Sequence, residues 1–400
     1  MPAVSGSPLA DPPLASPPVD SRSGIEALAC AICEAPTPRA SARIASLARL
    51  VPDWQPFLAL ARKHRILPLA CARLAASGAS IPAEVQDQLR DAWQRNILHC
   101  TANAAELIQI HEALQRENIA ALPFKGIVLA ASAYNDFAAR NAGDIDILVH
   151  LQDLLRATAI LKARNFELLT PVCDDGSPLL TNSHEYHFER QSDGMVVELR
   201  WRLELTQPRY RRNVGMQWLW PHRQPIRIAD IDLPGMDAET ALLVLCMHGS
   251  KHTWARLVWI SDVAHLLAAY PALDWSRVHR DARRLGLRNA LALGVLLAHR
   301  ICAAQIPAET LERFERNTTA RRLAHALEEI LFDHPGHFPA GRLPYNVQLL
   351  DTADRLRLLV SPDFFRPNER DLAFIRLPRS LHFLYLFLRP LRILRDKSAR

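Results

Sequence analysis

From Ala83 to Arg116 the chain contains neither proline nor glycine, and beyond Glu117 its apolar residues leave helical spacing and gather in short runs. That switch constrains the fold more than any other feature. A long segment without breakers persists as one helix, whereas short apolar runs bounded by polar residues read as strands. Upstream, Leu47, Leu50, Trp54, Phe57, Leu58 and Leu60 precede Ile66, Leu67 and Leu69, so residues 25–118 predict an all-helical region. Strand-like runs follow at 120–124, 145–149, 166–170, 186–189 and 195–201, and Asp193-Gly194 predicts a two-residue hairpin turn. Helical spacing returns beyond Pro234, through 240–252, 257–269, 287–302 and 320–332. The expected class is α+β: a small mixed β-sheet core over 119–235, flanked by the N-terminal helical region and a C-terminal helical region over 236–400. Residues 1–24, with proline at 2, 8, 12, 13, 17 and 18, predict a disordered lead-in and lack the basic and apolar regions of a signal peptide.

Charge narrows the function classes. The net charge is +6, yet residues 366–400 alone hold nine basic residues against Glu369, Asp371 and Asp396, so the remaining chain is neutral. The high pI therefore describes a tail, not a polyanion-binding body. Only five of the 48 basic residues are lysines, at 63, 125, 162, 251 and 397, so arginine does the generic surface work and each lysine merits inspection. Seven cysteines, an odd number scattered through apolar stretches, fit a reducing cytoplasm; Cys30 and Cys33 form a CxxC with no second pair at zinc spacing. No apolar run approaches the roughly 18 residues of a membrane span.

Asp144 and Asp146 head an apolar run, and a strand's period of two puts both side chains on one face, with Ile145 and Ile147 on the other. Adjacent carboxylates repel unless a cation lies between them, and hard oxygen ligands suit Mg²⁺ or Mn²⁺ together with a substrate's phosphates. Upstream, Lys125-Gly126 ends one strand and opens a helix, where free N–H groups hold phosphate oxygens and glycine permits close approach. Lys125 and Arg140 are the candidate phosphate cations. A two-metal site needs a third carboxylate. Glu198 interrupts an apolar strand, where an unpaired charge is costly, and Glu189 across the hairpin is its rival.

A glycine-opened helix, Asp144-Ile-Asp146 on a strand and an acid on a later strand resemble the DNA polymerase β-like nucleotidyltransferase superfamily. The Lys-Gly start, Arg140, Asp-Ile-Asp-Ile-Leu-Val149 and Glu198-Leu-Arg-Trp201 more closely resemble the bacterial family of uncharacterised nucleotidyltransferases. The likeness extends to His64-Arg-Ile-Leu-Pro68, Cys246-Met-His-Gly-Ser-Lys-His252 and Trp259-Ile-Ser-Asp262, covering roughly residues 50–270. It implies Asp144, Asp146 and Glu198 as metal ligands and catalytic acids for NMP transfer from an NTP, such as ATP, to an acceptor. Ile127 stands where the superfamily often has glycine or serine, so phosphate contact would rest on backbone N–H groups, Lys125 and Arg140.

His248, Lys251 and His252 share one face of a predicted helix and either meet the triphosphate or pack structurally. Asp262 reads as a polar anchor for the helix pair. Seven arginines between 200 and 227, interleaved with Trp201, Tyr210, Trp218 and Trp220, fit RNA or DNA contact, a nucleotide site or a surface loop. The tail from Ser380 to Arg395 is either a weak membrane-surface element or a docked final helix. The acceptor stays open between peptide, protein, tRNA and small molecule. Two other readings are a fold that binds nucleotide or a partner without turnover, and a DxD glycosyltransferase. The latter requires a nucleotide-binding strand–helix unit ahead of the acids, which the helical first hundred residues do not offer.

Overall fold

The computed structural model describes residues 21–173, 175–178, 184–203, 214–333 and 345–351, with individual positions from 355 to 395. Five helices open it: α1 (Ser21–Ile32), α2 (Pro38–Ala48), α3 (Trp54–Lys63), α4 (Leu67–Ser77) and α5 (Ala83–Arg116). Side-chain caps set the starts of α2 and α3, Thr37 accepting from Ala40 N and Asp53 from Gln55 N. The breaker-free segment is indeed one helix, and it serves two cores. Val85 and Leu89 pack with the other helices, whereas Cys100, Ala104, Leu107, Ile110 and Leu114 pack against the sheet.

The β-like runs form one sheet from β1 (Ala121–Phe124), β2 (Ile145–Val149), β3 (Glu167–Leu168), β4 (Glu185–Arg190) and β5 (Met195–Arg200), in the order β1-β2-β5-β4-β3. β2 and β5 are parallel and the other neighbours antiparallel, so the sheet is mixed. Between β1 and β2 lie α6 (Gly126–Leu129) and a wider π-type turn, Ala130–Tyr134; α7 (Leu154–Ala163) follows β2. Asp193-Gly194 does not make a two-residue turn. Arg190 pairs with Met195 across a longer loop, in which Asp193 accepts from Met195 N and binds Arg190 at 2.8 Å while Gly194 takes φ +68°. The aspartate serves as a polar anchor there, which lengthens the connection.

A second hairpin was not expected from the sequence. After β6 (Arg202–Leu203), β7 (Val214–Gly215) and α8 (Met216–Leu219), β8 (Arg223–Ile228) pairs with β9 (Ile231–Met236). Pro225 stands opposite Pro234, and the turn is Ala229-Asp230 with Ala229 at φ +51°. Two prolines and an alanine in the left-handed region suppress the usual hairpin signature.

The C-terminal helices are α9 (Ala238–Lys251), α10 (Leu257–Ala269), α11 (Trp275–Leu285), α12 (Arg288–Cys302), α13 (Ala308–Glu315), α14 (Thr318–Ile330) and α15 (Tyr345–Leu349). The helical spacing in the sequence matches α9, α10, α12 and α14. α11 buries only Val278, Ala282 and Leu285, a stripe too narrow to stand out by composition. The α9–α14 helices share one core with α1–α4, so the two helical flanks close on each other beside the sheet.

Candidate active site

The site begins at the turn from β1 into α6. Lys125 adopts φ +55° and ψ −147°, a region that only glycine occupies freely, and such strain costs on the order of 1–3 kcal/mol. Gly126 follows at φ +41°, and a Cβ there would lie 3.1 Å from the Asp144 carbonyl oxygen. The turn therefore presses on the entrance to β2. It directs the Lys125 ammonium across the Phe124 ring, 5.0 Å from its centroid, to within 3.0 Å of Asp146 Oδ1.

Strand register assembles the acids. Asp146 lies beside Glu198 in the parallel β2–β5 pair and opposite Phe124 on β1. One carboxylate oxygen each from Asp144, Asp146 and Glu198 fall within 4.8 Å of one another. Glu198, not Glu189, joins the two aspartates, since Glu189 pairs with Val196 farther along the hairpin.

The charges around this triad are unequal. Arg200, two residues from Glu198 on the same face of β5, places Nε 3.1 Å from Asp146 Oδ1 and also contacts Glu198 and Glu185. His187 spans Glu185 and Glu198 at 3.4 and 3.5 Å, and its partnership with Glu185 raises its pKa. Burial opposes the charge on Asp146, but Lys125 and Arg200 keep its pKa low. Burial and the neighbouring Asp146 push Glu198 up to about 7, and the same two causes raise Asp144. With Asp144, Asp146, Glu198 and Glu185 all ionised, as a bound cation would favour, the two permanent cations Lys125 and Arg200 leave two negative charges before His187 is counted. Asp146 Oδ2 is buried without a hydrogen-bond partner. An all-oxygen donor set, a charge deficit and an orphaned carboxylate oxygen fit a hard divalent cation.

Arg140 is placed differently from the other cations. It is buried in a bidentate pair with Asp262 on α10, Nε to Oδ1 at 2.7 Å and Nη2 to Oδ2 at 2.9 Å. Its Nη1 donates to the Gly126 carbonyl at 3.4 Å. The Tyr134 hydroxyl donates to the same Asp262 Oδ1 at 2.7 Å, and its ring stacks on His265 at 4.1 Å. Arg140 thus ties the Gly126 turn to the helical flank, and Asp262 is a polar anchor.

The end of α9 closes the other side. His248, His252 and Trp259 form an aromatic group, with ring centroids 4.7 Å apart for the two histidines and 5.1 Å for His252 and Trp259. Burial lowers the pKa of His248 well below normal and of His252 to about 4, with Lys125 and Arg200 adding to both shifts. Lys251 Nζ lies 3.4 Å from His184 Nε2, and His184 in turn is 3.5 Å from Glu185. Gly249 gives this helix room for Trp254, whose ring would lie 2.4 Å from any Cβ. Arg200, Glu185, His187 and His184 are the site residues that sequence reasoning missed. The signal for Arg200 was its same-face spacing from Glu198.

The basic stretch is partly engaged within the protein. Trp201 is buried, packing edge-on against Tyr186 at 5.2 Å, and Arg223 stacks over Trp220 at 4.3 Å. Glu204, Arg209, Tyr210, Arg211 and Arg212 lie outside the described residues.

A small mixed sheet with an acid triad on neighbouring parallel strands, beside a glycine turn and a basic helix end, is the arrangement of a nucleotidyltransferase. The family described as "Uncharacterised nucleotidyltransferase" matches residues 51–303, and the chain belongs to it. Among solved structures, the solution structure of the antibiotic-resistance factor ANT(2'')-Ia matches with a TM-score of 0.29 and 14% identity, covering 57% of this chain and 96% of that one. A search among curated proteins found no match.

Proposed function

We propose that the protein transfers an NMP from an NTP to an acceptor at the site formed by Asp144, Asp146 and Glu198. The observation that carries this reading is the convergence of three carboxylates whose innermost member, Asp146, keeps a buried oxygen unpartnered. These three residues would hold Mg²⁺ or Mn²⁺, which when bound supplies neutralisation of the phosphate charge that builds up in an in-line displacement. Lys125, anchored on Asp146, presents a cation where the triphosphate enters, and the strained turn offers the Gly126 backbone beside it. His248, Lys251 and His252 line the opposite wall and bind phosphate oxygens or the departing pyrophosphate. Arg140 acts through the Gly126 carbonyl rather than by touching phosphate. The helical flanks select the acceptor, and the free cysteines are in keeping with work in the cytoplasm.

A second reading is nucleotide binding without turnover. It is favoured by Arg200, whose guanidinium already spans Asp146, Glu198 and Glu185. Pyrophosphate release with each of the four NTPs, with Mg²⁺ or Mn²⁺ and a cell lysate as the acceptor source, separates the two. Mass spectrometry of the lysate then identifies what gains an NMP. Metal-dependent transfer that survives intact in the Asp144→Asn, Asp146→Asn double variant would sink the first reading.

A further inference from the structure

Among the described residues of the C-terminal segment, some polar groups turn inward and several large apolar groups outward, the reverse of what burial dictates. Tyr385 is buried, its hydroxyl donating to the Ile375 carbonyl at 2.5 Å and accepting from Leu377 N at 3.0 Å. Arg392 is also buried, with Nε 3.0 Å from Asp371 Oδ1. Phe383, near the end of a 3-10 turn (Arg379–Leu384), and Phe387 and Leu391 beyond it are 61%, 66% and 57% exposed. Eleven large apolar residues are exposed among the described ones, and five of them fall between Ile375 and Leu391, including both phenylalanines. Single exposed leucines are ordinary, but two phenylalanines and three aliphatic side chains exposed within one short segment mark a surface that meets something.

The charge of the same segment says what that is. Residues 366–400 carry nine basic residues against three acids, the whole net charge of the chain, and Arg392 neutralises Asp371 internally. We infer that this segment meets an anionic lipid surface, the exposed rings and Leu391 seated among acyl chains and the net positive charge of residues 366–400 drawing it to the headgroups. A second copy of this chain meets the apolar requirement and fails the electrostatic one, because a two-fold contact would bring two strongly basic tails together. Nucleic acid meets the charge, but bases would stack on Phe383 and Phe387 alone and leave Ile375, Leu381 and Leu391 in water. Among the described residues no helix is long and apolar enough to cross a membrane. This inference is independent of the chemistry at the acid triad.

The test is co-sedimentation of the full chain with vesicles of phosphatidylcholine alone and of phosphatidylcholine with about one-third phosphatidylglycerol. Binding to the anionic vesicles is expected to exceed binding to neutral ones by roughly tenfold at low salt and to fall as salt rises. Phe387→Asp with Leu391→Asp is expected to reduce it to the neutral-vesicle level while the circular dichroism spectrum stays unchanged, since both side chains are exposed. Equal binding to the two vesicles, no binding to either, or binding indifferent to the double substitution overturns the inference. So does light scattering that shows a dimer which the same substitutions dissolve. If the double variant aggregates, the comparison of vesicle compositions with the unmodified chain decides alone.

Discussion

Arg200 Nε lies 3.1 Å from Asp146 Oδ1, in the position where a counterion is needed most. The guanidinium and a divalent cation would therefore draw on the same negative charges. Removing one partner of a buried pair leaves the other uncompensated, which costs about 3–5 kcal/mol. Arg200→Ala is accordingly expected to destabilise the metal-free protein strongly, with Mn²⁺ restoring more stability to the variant than it adds to the parent. Urea unfolding with and without MnCl₂ reads both quantities. A loss of stability that metal leaves untouched would show that Arg200 and the cation do not share a site.

Gly126 provides an independent handle on the same geometry. An alanine there needs φ +41° and brings its Cβ to 3.1 Å from the Asp144 carbonyl, against backbone that cannot swing away. Gly126→Ala is expected to destabilise the fold by about 1–2 kcal/mol. It should also weaken Mn²⁺-induced thermal stabilisation, because Asp144 must shift with its carbonyl. Metal stabilisation equal to that of the parent would mean that the turn does not set the position of Asp144.

Much of this site was legible in the sequence. The period of two placed Asp144 and Asp146 on one face, and a charge inside an apolar strand singled out Glu198. The register that sets Glu198 beside Asp146 was not legible, because pairing between β2 and β5 spans some fifty residues of intervening chain. For the same reason the partners of Arg200 and Arg140 stayed hidden: Glu185 and Asp262 come from other elements. Local patterning shows which residues need a partner; only the assembled fold shows which one they find. The β8–β9 hairpin was missed on local grounds, its two facing prolines masking the strand pattern.

The Asp262 network makes a separate prediction about binding. Arg140 and Tyr134 converge on one buried carboxylate, and Arg140 alone reaches the Gly126 carbonyl. Asp262→Ala strands a buried guanidinium and is expected to cost about 3–5 kcal/mol. Tyr134→Phe removes one charged hydrogen bond and is expected to cost about 1.5–3 kcal/mol. If the network positions the turn, Asp262→Asn should weaken metal-dependent NTP binding, measured calorimetrically, more than Tyr134→Phe does. Equal affinities in both variants would reduce the network to a purely structural tie.

Two buried histidines set how stability responds to acid. His64 is fully buried and accepts the Leu257 N–H on Nδ1 at 3.2 Å, so protonation would break the link between α3 and α10. His265 lies under Tyr134 with Nδ1 2.9 Å from the Ser261 carbonyl. Burial holds both well below the usual value, at about 4. In the unfolded chain each takes up its proton near pH 6.5, whereas in the fold it resists until about pH 4. The unfolded state therefore binds more protons throughout that window, so stability rises with pH across it and is lost as pH falls from 6.5 towards 4. Each histidine contributes a slope of up to about 1.4 kcal/mol per pH unit. His265→Gln is expected to remove its share, flattening the curve of unfolding free energy between pH 6.5 and 4.5 by about that amount. The carboxylates that titrate in the same range are common to both proteins and cancel in the comparison. Parallel curves for parent and variant would mean that His265 is protonated as readily inside the fold as outside it.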